Sequence, residues 1–245
     1  KIVDQIDLSV KNPDKEFIPL SIGDPCAFGN LSTPDAVVRE MERVVRSGDH
    51  NGYINSAGAG PAREAIATYM SVPAKGVRYA PDDIIVGSGC SGALEVCLTN
   101  LLDPGTNLLV PDPGFCLYQV IAEAHGAGVK HYNLLPEEGW QVDLAHLEAQ
   151  IDAGTRAILV NNPSNPCGCV YGEAHLRAIL DIAERHQLPV IADEIYANLT
   201  FEDAEAEEEE EEEEQEAGAE TQLTQQEKKK TAAKAKKNAM VPMAT

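Results

Sequence analysis

Four short stretches hold residue types that could do chemistry. Gly87-Ser88-Gly89-Cys90-Ser91-Gly92 is a small-residue turn opening a helical pattern. Backbone N–H groups there face an anion without side chains in the way, and the positive helix end favours a phosphate. A tight strand-to-helix turn explains the same residues equally well. No lysine follows it, so it is not the nucleotide loop G-x-x-x-x-G-K-[ST]. Pro111-Asp112-Pro113-Gly114-Phe115 presents an aromatic that could lie on a ring, although an aromatic at a strand end is more often core. Asn161-Asn162-Pro163-Ser164-Asn165-Pro166-Cys167-Gly168 flanks the Asn165 amide with two prolines that stiffen it, and the same residues are ordinary turn formers. Asp193-Glu194-Ile195-Tyr196 begins with a carboxylate at the end of an apolar run. Burying that charge unpaired is costly. It suits a proton on a heterocyclic nitrogen, and it equally suits a helix N-cap.

The elements that must position these loops follow from the apolar pattern. Short apolar runs at 84–86, 108–110, 129–134, 157–160 and 189–192 predict strands. Amphipathic stretches at 91–102, 116–125, 143–151 and 173–186 predict the helices between them. The alternation predicts an α/β fold, a three-layer sandwich whose mainly parallel sheet is covered on both faces. Upstream, Ser32-Thr33-Pro34-Asp35 starts a helix that Gly48 stops, and a second runs from Pro61 to about Met70. All four reactive loops follow predicted strands, so they converge on one edge of the sheet, where such folds bind ligands. A phosphate cradle, an aromatic platform, an amide, a carboxylate and a phenol describe a pocket for pyridoxal 5′-phosphate.

Charge divides the chain. Of 245 residues, 19 are Lys or Arg and 40 are Asp or Glu, giving a formal charge of −21. That balance excludes nucleic-acid binding through a generally basic surface. Residues 202–245 hold 14 acids and 6 bases, with eight consecutive glutamates at Glu207–Glu214 and a later lysine cluster. Few large apolar residues accompany them, so 202–245 is expected to be a disordered acidic-then-basic tail. No apolar run is long enough to span a membrane. No secretory pattern opens the chain, which begins at Lys1, so the expectation is a cytoplasmic protein with a processed or fragmentary start. Cys26, Cys90, Cys97, Cys116, Cys167 and Cys169 lack metal-ligand spacing and read as thiols, with no metal site expected.

The chain resembles the class I, fold-type I aminotransferases, most of all those acting on tyrosine. The resemblance rests on Ser21-Ile22-Gly23-Asp24-Pro25, Phe28 to Leu31, Asn51-Gly52-Tyr53, Ser88 to Ser91, Val110 to Tyr118, Tyr132 to Pro136, Val160 to Gly168 and Ala192 to Tyr196. It covers residues 1–201, about the N-terminal half to two-thirds of such an enzyme. It implies transfer of an amino group from an aromatic amino acid to 2-oxoglutarate through pyridoxal phosphate, within a homodimer. By resemblance, Ser88, Gly89 and Cys90 bind the cofactor phosphate and Phe115 stacks on the ring. Asn165 and Tyr196 bond the 3′ oxygen, and Asp193 pairs with the ring nitrogen. Tyr53 reaches the partner's phosphate, and Gly23 lies beside the substrate carboxylate. Residues 1–50 would contribute to a small domain and 51–201 to part of the large, cofactor-binding domain.

The family's Ser-x-x-Lys loop, whose lysine forms the Schiff base, has no counterpart before Phe201, and neither has the arginine for the substrate carboxylate. The expectation is therefore a C-terminally truncated and inactive chain with an incomplete sheet. In the family, the strands after Asp-Glu-Ile-Tyr lie between the first strand and the Asp-bearing one, so strand 84–86 should be separated from the rest. The rival reading is a non-catalytic interaction protein that uses its charged tail.

Overall fold

The computed structural model describes Gly23, Cys26, Gly29 and residues 31–200. The expected tail at 202–245 and most of the Ser21–Asn30 motif lie outside the described residues. Two compact units divide between Ile85 and Val86.

In the first unit, α1 (Asp35–Ser47) begins behind Pro34, with Asp35 in its first turn. It ends at Gly48, whose φ of 71° closes the helix in the left-handed conformation that glycine adopts without strain. Helix α2 (Gly60–Met70) has proline in its first turn. Arg63, on α2, anchors the following segment. Its Nε donates to the Pro81 and Ile84 carbonyls at 2.8 and 3.0 Å, and its guanidinium meets Asp82 at 2.8 Å.

The second unit alternates helix and strand as the apolar pattern predicts. In chain order it comprises α3 (Gly89–Leu101), β1 (Asn107–Asp112), α4 (Leu117–Ala124), β2 (Gly128–Leu135), β3 (Gln141–Val142), α5 (Leu144–Ala149), β4 (Thr155–Asn161), α6 (Glu173–Arg185) and β5 (Val190–Asp193). The sheet order is β3-β2-β1-β4-β5. β1 is parallel to β2 and β4, and β4 to β5, while β3 is antiparallel to β2.

Successive residues of a strand face opposite ways, and here both faces are covered. Leu108, Val110, Ala157 and Leu159 pack with Leu94 and Leu98 of α3 and Ile121 of α4. Leu109, Ile158 and Val160 pack with Leu147 of α5 and Ile179 and Ile182 of α6. This is the three-layer arrangement, and it explains why the central strands read as unbroken apolar runs. Two buried tyrosines find partners within the fold. The Tyr132 hydroxyl donates to the Leu159 carbonyl at 2.8 Å, and Tyr118 reaches β5.

One predicted strand is corrected. Ile84–Val86 is not in the sheet. Ile84 has extended backbone, yet no strand among the described residues lies beside it to complete a ladder. Ile85 and Val86 remain exposed. β5, at the other end of the expected gap, has β4 as its one strand neighbour among the described residues. The two-residue β3 is too short to leave a period in the sequence.

Candidate active site

The carboxyl ends of β1, β4 and β5 lie on one edge of the sheet, because those strands are parallel. Asn161 and Asp193 end their strands side by side in register. Asp193 is 5% exposed. Its carboxylate accepts three hydrogen bonds: from the Tyr118 hydroxyl at 2.7 Å, the Cys90 thiol at 3.5 Å and the Ile195 N–H at 3.2 Å. A buried carboxylate is tolerable only with such donors. Burial first, and then the bond to Asp193, push the Tyr118 phenol well above its ordinary titration range. Burial and the neighbouring Asp193 charge also push the Cys90 thiol up, so both groups stay protonated donors at neutral pH.

Asn161 links this carboxylate to the next loop. Its Nδ2 donates to the Asp193 carbonyl at 3.1 Å, while its Oδ1 accepts from the Asn165 N–H at 2.6 Å. The loop is closed further by Gly168 N–H to Ser164 O at 2.8 Å and Ser164 N–H to Cys169 O at 3.0 Å. The Asn162–Pro163 and Asn165–Pro166 peptide bonds are cis. Asn165 and Tyr196 then line one cleft of about 400 Å³, together with Pro163, Gly168, Val170 and Leu199.

Ser88 precedes α3 without capping it through its side chain. Its side chain therefore leaves the first-turn N–H groups uncapped. Gly89 has φ +68°, and a Cβ on Gly87 would stand 2.6 Å from the Ala93 nitrogen. Glycine at 87 thus lets the turn fold closely onto its own helix. Phe115 is 39% exposed and meets the Tyr118 ring edge-on at 5.7 Å between centroids. The predicted residues Cys90, Phe115, Asn165 and Asp193 are thereby tied together directly or through Tyr118 and Asn161, and Tyr196 lines the same cleft as Asn165. Gly23 and Tyr53 belong to the first unit, where Tyr53 is wholly exposed.

Tyr118 and Asn161 were not among the residues predicted for the site. Tyr118 carried a signal: a phenol on the same helical face as Ile121 and Ala122 must find a buried acceptor. Asn161 opens the predicted loop after β4, but its bond to the Asp193 carbonyl comes from register with β5 and leaves no trace in the sequence.

These features fit a pyridoxal-type cofactor. Uncapped first-turn N–H groups and an exposed Ser88 match a phosphate, Asp193 matches a protonated ring nitrogen, and the Asn165–Tyr196 cleft offers donors to a ring oxygen. Helices on both faces of a parallel sheet, with this donor set at its carboxyl edge, define a cofactor-binding α/β enzyme domain.

Comparison with known proteins narrows the class. The family model described as aminotransferase class I and II matches residues 15–225. The chain belongs to that pyridoxal-phosphate-dependent aminotransferase family. Tyrosine aminotransferase from Mus musculus is 48% identical over 196 residues, which is 80% of this chain and 43% of that protein. The protein of that name from Dictyostelium discoideum is 50% identical over 190 residues, or 78% and 45%. Among solved structures, tyrosine aminotransferase from Leishmania infantum has a TM-score of 0.69 at 39% identity, covering 73% of this chain and 49% of that one. Alanine aminotransferase from Pyrococcus furiosus has a TM-score of 0.70 at 35% identity, covering 74% and 46%. The chain thus spans less than half the length of these relatives.

Proposed function

We propose that residues 31–200 carry the cofactor-holding part of a pyridoxal-phosphate-dependent aminotransferase acting on tyrosine or a similar aromatic amino acid, with 2-oxoglutarate as acceptor. The observation that carries this reading is Asp193, a buried carboxylate on the same sheet edge as an uncapped Gly/Ser helix start. The identity to tyrosine aminotransferases supports the substrate class.

When bound, pyridoxal phosphate supplies an electron-poor ring that accepts the electron pair left by the amino acid's departing α-proton. The protein's task is to hold that ring. In this reading the N–H groups of Gly89 and Cys90, with the Ser88 hydroxyl, bind the phosphate. Phe115 covers a ring face. Asn165 and Tyr196 donate to the ring's 3′ oxygen, and Asp193 keeps the ring nitrogen protonated. Gly23 would lie beside the substrate carboxylate. Tyr53 would reach the phosphate bound by a second copy in a homodimer. The proposed setting is cytoplasmic. Among the described residues, no helix is long and apolar enough to cross a membrane.

Moving the substrate proton needs a base, in this family a lysine. Lys130 lies in the amino-terminal half of β2, where Asp152 holds it at 2.8 Å and the Gln150 carbonyl at 2.9 Å. That end of the sheet is opposite to Asp193. We propose that residues 1–245 alone bind the cofactor without turning over substrate. The test is tyrosine-dependent conversion of 2-oxoglutarate to glutamate with added pyridoxal phosphate. A rate equal to the protein-free control is expected, and a rate clearly above it overturns the proposal.

A further inference from the structure

We propose that Tyr118 and Cys90 are positioning residues that clamp the Asp193 carboxylate from two helices, and that Cys90 couples the phosphate cradle to the carboxylate serving the ring nitrogen. The cofactor part of this inference rests on the function proposed above.

The clamp is asymmetric. Tyr118 rises from the buried face of α4 and donates to Oδ2 at 2.7 Å, a short bond to a carboxylate. Cys90 reaches Oδ1 from the first turn of α3 at 3.5 Å, a weaker sulfur bond. Ile195 adds its N–H to the same oxygen at 3.2 Å. Three donors approach from α3, α4 and the chain after β5, so the carboxylate cannot rotate without losing one. Raised titration of the phenol and thiol keeps both protons in place across neutral pH. Cys90 belongs to two systems at once. Its backbone N–H stands in the first turn of α3, where a phosphate would bind, while its side chain holds Asp193. An anion drawn to that turn therefore acts on the residue that grips the carboxylate.

Two measurements on the full 245-residue chain test this. The first needs no cofactor: iodoacetamide labelling of Cys90 at pH 8, followed by peptide mass spectrometry, in wild type and Asp193→Asn. The Asp193 charge opposes thiolate formation, so the variant should label at least about threefold faster. Equal rates overturn the clamp. The second compares binding of pyridoxal phosphate with an analogue whose ring nitrogen is replaced by CH. Tyr118→Phe should bind pyridoxal phosphate about tenfold more weakly, with the analogue little affected. Cys90→Ala should show a smaller selective loss, and Cys90→Ser should restore wild-type binding. Equal losses for both ligands, or none, overturn the positioning role. A wild-type chain that binds neither ligand overturns the cofactor reading and the positioning role with it, while labelling still reports on the clamp.

Discussion

Asn161 shows how much a single side chain can carry in this fold. It is 2% exposed, and its amide satisfies the Asp193 carbonyl and the Asn165 N–H together. Asn161→Ala strands the Asn165 N–H, at a cost of about 1–3 kcal/mol when left unsatisfied, while the Asp193 carbonyl keeps its bond from the Asn162 N–H. Urea unfolding should show a loss of at least about 1 kcal/mol. Gly89 makes a second demand at this scale. Its φ of +68° lies where a Cβ is strained, so Gly89→Ala should lose about 1 kcal/mol by the same measurement, although open space surrounds the position. At the residue scale the sequence was informative where chemistry is local. Gly89, Asn165 and Asp193 stand out by type and neighbours. Tyr118 and Asn161 do not reveal their shared partner, Asp193, which is 75 and 32 residues away in the chain.

Among the elements, β4 is the central support of the site. It pairs with β1 and β5, and Ala157, Ile158 and Leu159 are wholly buried. Ile158→Ala should cost about 2–5 kcal/mol, read by urea or thermal melting. Helix α6 is tied to β3 by His175, whose Nε2 accepts the Val142 N–H at 3.0 Å and so must be unprotonated. Burial, only partly offset by Glu138, lowers its titration below the usual histidine value of 6.5. The unfolded chain therefore binds the proton more readily. Its contribution to stability should be complete above pH 6.5 and should be lost as pH drops from 6.5 toward the lowered value. His175→Gln keeps an acceptor that does not titrate, so its melting temperature should decline less between pH 7.5 and 5.5. Element types were legible because each helix from α3 to α6 carries an apolar stripe and each long strand an apolar run. Segment 84–86 shows the limit: its residues favour a strand, but a strand exists only beside a partner.

For the molecule as a whole, the described sheet has one open boundary. β5 has a neighbour on one side among the described strands, and Ile85, Val86 and Leu180 are exposed apolar residues. Unpaired edges and apolar surface favour association between copies. The 245-residue chain should therefore melt over a broad range and bind a hydrophobic dye before it unfolds. A sharp, high-temperature transition without dye binding would show that the sheet is self-sufficient. Family membership and the fold rest on matches across most of this chain, and those matches cover less than half the length of the tyrosine aminotransferase from Mus musculus.

The central claim is that the carboxyl edge of the sheet holds pyridoxal phosphate. Backbone amide NMR of the 245-residue chain during a pyridoxal phosphate titration tests it directly. Saturable shifts concentrated at Ser88 to Ser91, Asn165, Asp193 and Tyr196, with Gln150 to Thr155 unmoved at the opposite end, are the predicted result. An unchanged spectrum, or shifts centred on Lys130 and Asp152, would contradict it.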